Sequence, residues 1–151
     1  MYPRKILVID DQTPKFDQVK NLLSDLFPLS TFRHLKNFQY AVSQLAQSEF
    51  DLVVLDMSFN VNYNPSESVG FENLAGLRIL QHMFRRNIKI PVIIFTAHSE
   101  FSDPGIHSIK GMDELRRYVE EFFPGLCLGC IYSKERPDQI REQFRAIIEN
   151  E

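Results

Sequence analysis

Short apolar runs that do not alternate with polar residues constrain the fold of this chain more than any other feature. A strand buried on both faces gives a continuous apolar run, whereas a half-exposed strand alternates. Four such runs precede a polar residue: 6–9 before Asp10, 52–55 before Asp56, 92–95 before Thr96, and 130–132, then Ser133, before Lys134. The pattern favours a parallel sheet that is covered by helices on both faces.

Amphipathic segments separate the apolar runs. Thr13 followed by Pro14 predicts the start of a first helix, with Thr13 as the N-cap and the proline at the first helical position, and Pro28 ends it. Apolar residues recur at helical spacing in four later segments, around residues 38–46, 77–84, 112–122 and 140–148. With a weak strand at 29–32, five strand–helix units predict a doubly wound α/β fold, a three-layer sandwich of one parallel sheet and five helices.

Composition places the chain among ordinary globular proteins. Its 151 residues suit one domain, residues 1–151, with 44% apolar and 25% charged residues. A net charge of −3 without a basic block gives no reason to expect a nucleic-acid partner. No apolar stretch approaches the roughly 18 residues of a membrane span, and the N-terminus does not resemble a signal peptide, so we expect no membrane association and a cytoplasmic location.

The two cysteines, Cys127 and Cys130, form a C-x-x-C pattern. One such pair supplies only half of a structural zinc site. The segment 126–132 is predicted to be a strand, in which three residues span roughly 10 Å, too far for a disulfide bond. Buried structural thiols are the favoured interpretation.

The polar residues at the strand ends suggest a site. The carboxyl ends of parallel strands share one edge of a sheet, so Asp10, Asp11, Asp56, Thr96 and Lys134 are expected to lie there together. Three carboxylates repel one another unless some are protonated or a cation joins them. Mg²⁺, a hard cation that binds carboxylates and phosphate oxygens, suits this set. Each residue alone also has an ordinary explanation, as a helix-dipole partner, a loop cap or a surface charge.

Several segments in order resemble the response-regulator receiver domain, the phospho-acceptor module of bacterial two-component systems. They are KILVIDDQ (5–12), FDLVVLD (50–56), PVIIFTA (91–97) and IYSK (131–134), with Gly76 resembling the glycine at the start of the family's third helix. The resemblance covers nearly the whole chain apart from two long loops. It implies a flavodoxin-like sheet with the strand order 2-1-3-4-5.

The resemblance also implies roles for the clustered residues. Asp56 would be the phospho-acceptor, and Asp10, Asp11, Asp56 and the backbone carbonyl of Ser58 would hold Mg²⁺. Thr96 and Lys134 would bind phosphoryl oxygens. The donor would be a phosphohistidine on a sensor histidine kinase or a histidine phosphotransfer protein.

The domain itself would be a signalling module rather than an enzyme with a separate substrate. Its output would be a downstream protein target, bound noncovalently, or an effector domain beyond this chain. We expect a monomer or a weak dimer.

The chain departs from the receiver pattern around its lysine. Glu135 follows Lys134 where the family has proline, and Ile131 occupies the position of the family's switch aromatic. Tyr132 is next in sequence but is expected to face the other side of the sheet from Ile131, because strand side chains alternate. We therefore predict an altered output surface on the face formed by the fourth helix, the fifth strand and the fifth helix.

Two long insertions leave the edge where the site is expected, at about 57–73 and 98–111. Long loops in compact domains are usually functional or disordered. One hypothesis is that the 57–73 insertion gates donor access or slows hydrolysis of the acyl phosphate. The other is that it is a surface insertion with no such role.

Two other functions share part of this residue pattern. A pseudo-receiver would act as a scaffold without phosphorylation. A haloacid-dehalogenase-type phosphatase also uses a nucleophilic aspartate with magnesium, threonine and lysine, but it needs a second aspartate two residues later. Gln12 and Ser58 occupy those positions, which argues against the phosphatase.

Overall fold

A computed structural model describes residues 1–47, 49–57, 59–60, 71–72, 75–97, 100–103 and 107–150 of the chain. Strands and helices alternate along it. The helices are α1 (Thr13–Leu26), α2 (Phe38–Leu45), α3 (Ala75–Arg85), α4 (Gly111–Phe122) and α5 (Pro137–Glu149). The strands are β1 (Lys5–Ile9), β2 (Thr31–Leu35), β3 (Leu52–Leu55), β4 (Phe59–Asn60), β5 (Phe71–Glu72), β6 (Val92–Thr96), β7 (Glu100–Asp103), β8 (His107–Lys110) and β9 (Cys127–Tyr132).

Five of the strands form one parallel sheet in the order β2-β1-β3-β6-β9. Counting only these five strands, this is the predicted order 2-1-3-4-5, so the flavodoxin-like topology is confirmed. The order reverses between β1 and β3, whose register pairs Ile9 with Leu55. Ligands of such folds bind beyond the carboxyl ends of the strands at this reversal. Asp10 directly follows β1 and Asp56 directly follows β3, so both residues lie at this position.

The predicted three layers are also confirmed. All the residues of β3 and β6 are buried, as are those of β1 after Lys5, because helices cover both faces of the sheet. On one face, α1 and α5 contribute Val19, Leu23, Ile140, Phe144 and Ile148 to the core. On the other face, α2, α3 and α4 contribute Ala41, Leu45, Ile79, Leu80, Met83, Leu115 and Val119.

The start of α1 differs by one residue from the prediction. Gln12, not Thr13, is the N-cap, and its own side chain makes no capping hydrogen bond. The Asp10 side chain instead accepts a hydrogen bond from the Gln12 backbone N–H at 2.8 Å. This hydrogen bond holds the backbone just before the helix, and the predicted capping role of the Thr13 hydroxyl is wrong.

Both insertions contain local antiparallel pairing. In the first, β4 pairs with β5, and in the second, β7 pairs with β8 over four residue pairs from Glu100–Lys110 to Asp103–His107. The remainder of these insertions lies outside the described residues. The second insertion is thus largely a hairpin that leads directly into α4, rather than a connection without secondary structure.

Within the described part of the chain, no helix is both long enough and apolar enough to cross a membrane.

Both cysteines have free thiols, as predicted, and both lie in β9. Burial raises the pKa of the Cys130 thiol to about 12. Burial also raises the pKa of Cys127 above its ordinary value, and the neighbouring Cys130 adds to this rise. A thiol reacts as the thiolate, so both groups are held in their unreactive form at neutral pH.

We expect neither cysteine to be alkylated in the native protein at about pH 8, while both react after unfolding. The cause is burial, which raises both thiol pKa values. Ionisation of the thiols therefore lowers stability once the pH rises above their ordinary pKa, where the unfolded chain loses these protons first. Mass spectrometry after timed exposure to iodoacetamide, with and without denaturant, measures this. Cys130 is buried and Cys127 is partly buried, so rapid alkylation of Cys130 in the native protein would contradict its placement.

Candidate functional site

Three carboxylates meet at the carboxyl edge of the sheet. Oxygens of Asp10, Asp11 and Asp56 all lie within 4.8 Å of one another. Asp10 and Asp56 are only 3% and 5% exposed, while Asp11 is partly buried. The pairing of β1 with β3 brings Asp10 and Asp56 together, and the Asp56 N–H extends this pairing by donating to the carbonyl of Ile9 at 2.9 Å. The clustering expected from the sequence is present for these residues.

Asp10 is held in place through its backbone as well as its side chain. Its N–H donates to the carbonyl of Leu35 at 3.0 Å, and its own carbonyl lies 2.7 Å from Nε2 of His34. The His34 ring stacks on Phe16 of α1, with ring centroids 4.3 Å apart. These contacts fix the carboxylate between the edge strand and the first helix, so its position does not depend on a flexible loop.

Lys15 is a member of the site that sequence reasoning missed. It is the third residue of α1, and its Nζ lies 2.9 Å from Oδ2 of Asp10 and 3.1 Å from Oδ1 of Asp56. Its side chain is 9% exposed, and the ammonium lies 5.6 Å from the centroid of the Phe95 ring. A lysine in the first turn of the helix that directly follows Asp11 was the available signal, since that turn lies over the acidic edge.

Thr96 ends β6 and is fully buried. Leu55 pairs with Ile94, so Thr96 lies two residues further along the strand that neighbours the Asp56 strand. The carbonyl of Thr96 accepts a hydrogen bond from Ser133 N–H at 2.8 Å, which ties the ends of β6 and β9 together. The threonine is thus on the predicted edge, one strand away from Asp56.

Lys134 follows β9 in a turn and is exposed. Among the described residues, no ion pair joins its ammonium to Asp10 or Asp56, whose cationic partner is Lys15. The structure therefore brings Lys134 to the correct edge of the sheet without placing it in the carboxylate cluster. Ser58, whose backbone carbonyl we expected to bind the metal, lies outside the described residues.

The register of β9 revises the expectation for Tyr132. Ile131 is buried on the face covered by α1 and α5. Alternation along the strand still predicts that Tyr132 faces the other side. However, an irregularity in β9 at Leu128 shifts the strand, and the register then pairs Tyr132 directly with Thr96. An aromatic residue therefore does lie beside the threonine, which weakens the sequence-based case for an altered output surface.

Gly76, in the first turn of α3, lies directly against the end of β3. Its N–H donates to the carbonyl of Met57 at 2.9 Å. A Cβ atom at position 76 would lie 2.6 Å from the carbonyl oxygen of Asp56 and 2.8 Å from Cα of Met57. Only glycine allows this approach, so the first turn of α3 packs directly against the backbone of Asp56.

The donor set fits a divalent metal. Carboxylate oxygens are the ligands that Mg²⁺ prefers, and magnesium sites commonly use one or two carboxylates with the remaining positions left to water and phosphate. Three carboxylates from two adjacent strand ends also provide the negative charge that a dication balances. Asp10, Asp11 and Asp56 could therefore hold Mg²⁺.

Comparison with known proteins points to one fold. No model of a known protein family matches the sequence, and no curated protein matches it. Solved structures do match. The N-terminal domain of a response regulator/sensory box/GGDEF three-domain protein from Carboxydothermus hydrogenoformans has a TM-score of 0.61 at 16% identity, covering 97% of this chain and 92% of that one.

Two further structures give the same result. The signal receiver domain of an HD domain-containing protein from Pseudomonas fluorescens has a TM-score of 0.62 at 17% identity, covering 99% of this chain and 90% of that one. A response regulator from Thermotoga maritima has a TM-score of 0.59 at 18% identity, covering 97% and 98%. The topology, the acidic edge and these likenesses agree: the chain has the fold of the response-regulator receiver domains.

Proposed function

We propose that this chain is a response-regulator receiver that takes a phosphoryl group on Asp56 in the presence of Mg²⁺ and thereby switches a protein-interaction surface. The observation that carries the proposal is the buried carboxylate cluster at the topological switch point of a receiver fold. Asp56 is the central member, because it follows β3, the middle strand of the sheet. Catalytic power in phosphoryl transfer comes mainly from positioning and charge stabilisation, which such a cluster can provide.

In the proposed reaction, an Asp56 carboxylate oxygen attacks the phosphorus of a phosphohistidine. The P–O bond to Asp56 forms while the P–N bond to the donor imidazole breaks, and the imidazole nitrogen keeps the electron pair and takes up a proton. The product is an acyl phosphate. A bound Mg²⁺ would offset negative charge on the carboxylates and the phosphoryl oxygens.

The remaining roles follow from residue type and position. Thr96 would donate its hydroxyl to one phosphoryl oxygen, and Lys134 would offer its ammonium to another. Lys134 is exposed at the end of β9, so its long side chain must turn inward to reach the acceptor. Inward movement of Thr96 and Lys134 would couple the new charge to the strand ends and so to the distal face of α4, β9 and α5.

Partners follow from the same proposal. The donor would be a sensor histidine kinase or a histidine phosphotransfer protein, and the recipient of the signal would be a downstream protein or an effector domain. Two of the similar structures are receiver domains of multidomain proteins, which supports such a division of labour. A cytoplasmic location and a monomer or weak dimer would suit this role.

The test is the intact mass of the protein after incubation with Mg²⁺ and a small-molecule phosphodonor such as acetyl phosphate. We expect one added phosphoryl group, and none when a chelator removes the metal, because no dication then offsets the negative charge that develops on the phosphoryl oxygens beside Asp56. Hydroxylamine should remove the group, as expected for an acyl phosphate. An adduct that forms equally well with the chelator would contradict the role assigned to the metal.

The second candidate is a scaffold that works without phosphorylation. Lys15 favours it, since an ammonium already compensates two of the carboxylates. The exposed position of Lys134 favours it as well. The same mass measurement separates the two functions, because a protein that binds Mg²⁺ but takes up no phosphoryl group would be the scaffold.

A further inference from the structure

Lys15 occupies a position that ordinary surface lysines do not. Its residue is 8% exposed, and its ammonium contacts Asp10 at 2.9 Å and Asp56 at 3.1 Å. Lysine is rarely buried unless it is paired, so these two carboxylates must account for its burial. Because both pairs are buried, salt screens the Coulomb attraction within them less than it screens pairs on the surface.

We propose that Lys15 is a built-in counter-cation that competes with the divalent metal for Asp10 and Asp56. This inference rests on the metal site of the proposed function. Lys15 would lower the affinity for Mg²⁺, so that the site fills only at higher metal concentration. It would also stabilise the metal-free protein by compensating the clustered carboxylates.

The geometry explains the competition. The ammonium contacts Oδ2 of Asp10 and Oδ1 of Asp56, atoms that belong to two of the three candidate metal-binding residues. Oxygens within 4.8 Å of one another leave little room for an ammonium and a dication at once. The two cations also repel each other at short range in a poorly solvated pocket. Binding of the metal therefore requires the ammonium to withdraw, and that cost lowers the metal affinity.

The Lys15 side chain can move its ammonium away from the carboxylates. Lys15 lies in the first turn of α1, four residues after Asp11, which is only partly buried. Its flexible four-carbon stem can move the charge outward without moving the helix.

Lys15→Met tests the proposal, because methionine keeps most of the length of the side chain and removes its charge. Lys20→Met is the matched control on the same helix, since Lys20 is exposed and has no ion pair with the cluster among the described residues. Calorimetric titration of each protein with Mg²⁺ alone gives the affinity without any phosphodonor. We expect Lys15→Met to bind Mg²⁺ at least about tenfold more tightly than wild type, and Lys20→Met to match wild type.

Urea unfolding is a second measurement, and it tests whether Lys15 stabilises the metal-free protein. In metal-free, low-salt buffer, Lys15→Met should unfold at a lower urea concentration than wild type, and saturating Mg²⁺ should restore the midpoint. Lys15→Gln, which keeps a hydrogen-bond donor, provides a second neutral variant if methionine impairs folding. Both variants should show the same tighter binding, because the effect arises from charge.

The outcomes are distinguishable. Equal or weaker Mg²⁺ binding by both neutral variants overturns the counter-cation role, while metal-dependent phosphorylation of wild type would still leave the proposed function standing. Absence of Mg²⁺ binding in wild type and in both variants would instead contradict the metal site itself. In that case the counter-cation role and the proposed function fail together.

Discussion

Replacing Asp56 with asparagine is expected to abolish phosphoryl uptake. The amide has nearly the shape of the carboxylate, so it fits the buried position at the end of β3. It lacks the anionic oxygen that attacks phosphorus, and no acyl phosphate can form on it. Intact-mass measurement after incubation with Mg²⁺ and acetyl phosphate should show the added group in wild type and none in Asp56→Asn.

Asp51→Asn is a matched control at the opposite end of the same strand. The Asp51 carboxylate accepts hydrogen bonds from the N–H groups of Arg4 and Lys5, both at 2.9 Å, and it lies at the amino edge of the sheet. This variant should lose about 1 kcal/mol of stability and keep full phosphoryl uptake. A persistent adduct in Asp56→Asn would show that another residue accepts the phosphoryl group.

Alanine at position 76 is expected to destabilise the fold by about 3 kcal/mol, near the upper end of the usual cost of overpacking. The added Cβ would lie 2.6 Å from the Asp56 carbonyl oxygen and 2.8 Å from Met57 Cα, and backbone atoms cannot move aside as a side chain can. Alanine normally favours a helix over glycine by about 1 kcal/mol, so the clash must exceed that gain. Urea denaturation of Gly76→Ala against wild type measures the difference.

Gly129→Ala is the matched control for the substitution at Gly76. A Cβ at position 129 would also approach to 2.6 Å, but its neighbour is Cδ1 of Ile147, the far end of a flexible side chain. We expect a loss of about 1 kcal/mol or less for this variant. Equal stability of Gly76→Ala and Gly129→Ala would contradict the close contact between α3 and the backbone that follows β3.

Much of the fold was predictable because its signals are local. Continuous apolar runs identified β1, β3 and β6, whose residues are buried on both faces. Helical spacing identified α1 to α5, and Pro28 correctly placed the end of the first helix. The acidic edge followed from topology, since parallel strands bring their carboxyl ends together. Asp10, Asp11 and Asp56 therefore met where expected.

Other features depend on contacts that spacing cannot reveal. The position of Lys15 among the carboxylates depends on how α1 leaves the sheet, which residue spacing along the chain does not show. The pairing of Tyr132 with Thr96 depends on an irregularity in β9 next to Gly129, and a glycine within a strand does not by itself fix the register that follows it. The pairing of β7 with β8 arises within an insertion that carries no strong alternating pattern.

The most direct test of the central claim locates the phosphoryl group. Wild-type protein is treated with Mg²⁺ and acetyl phosphate, reduced with borohydride, and digested for peptide mass spectrometry. Borohydride converts an aspartyl phosphate to homoserine, so we predict homoserine at position 56 and none at Asp10 or Asp11. Homoserine at another position, or a borohydride-resistant phosphoryl group, would contradict the assignment of Asp56 as the phospho-acceptor.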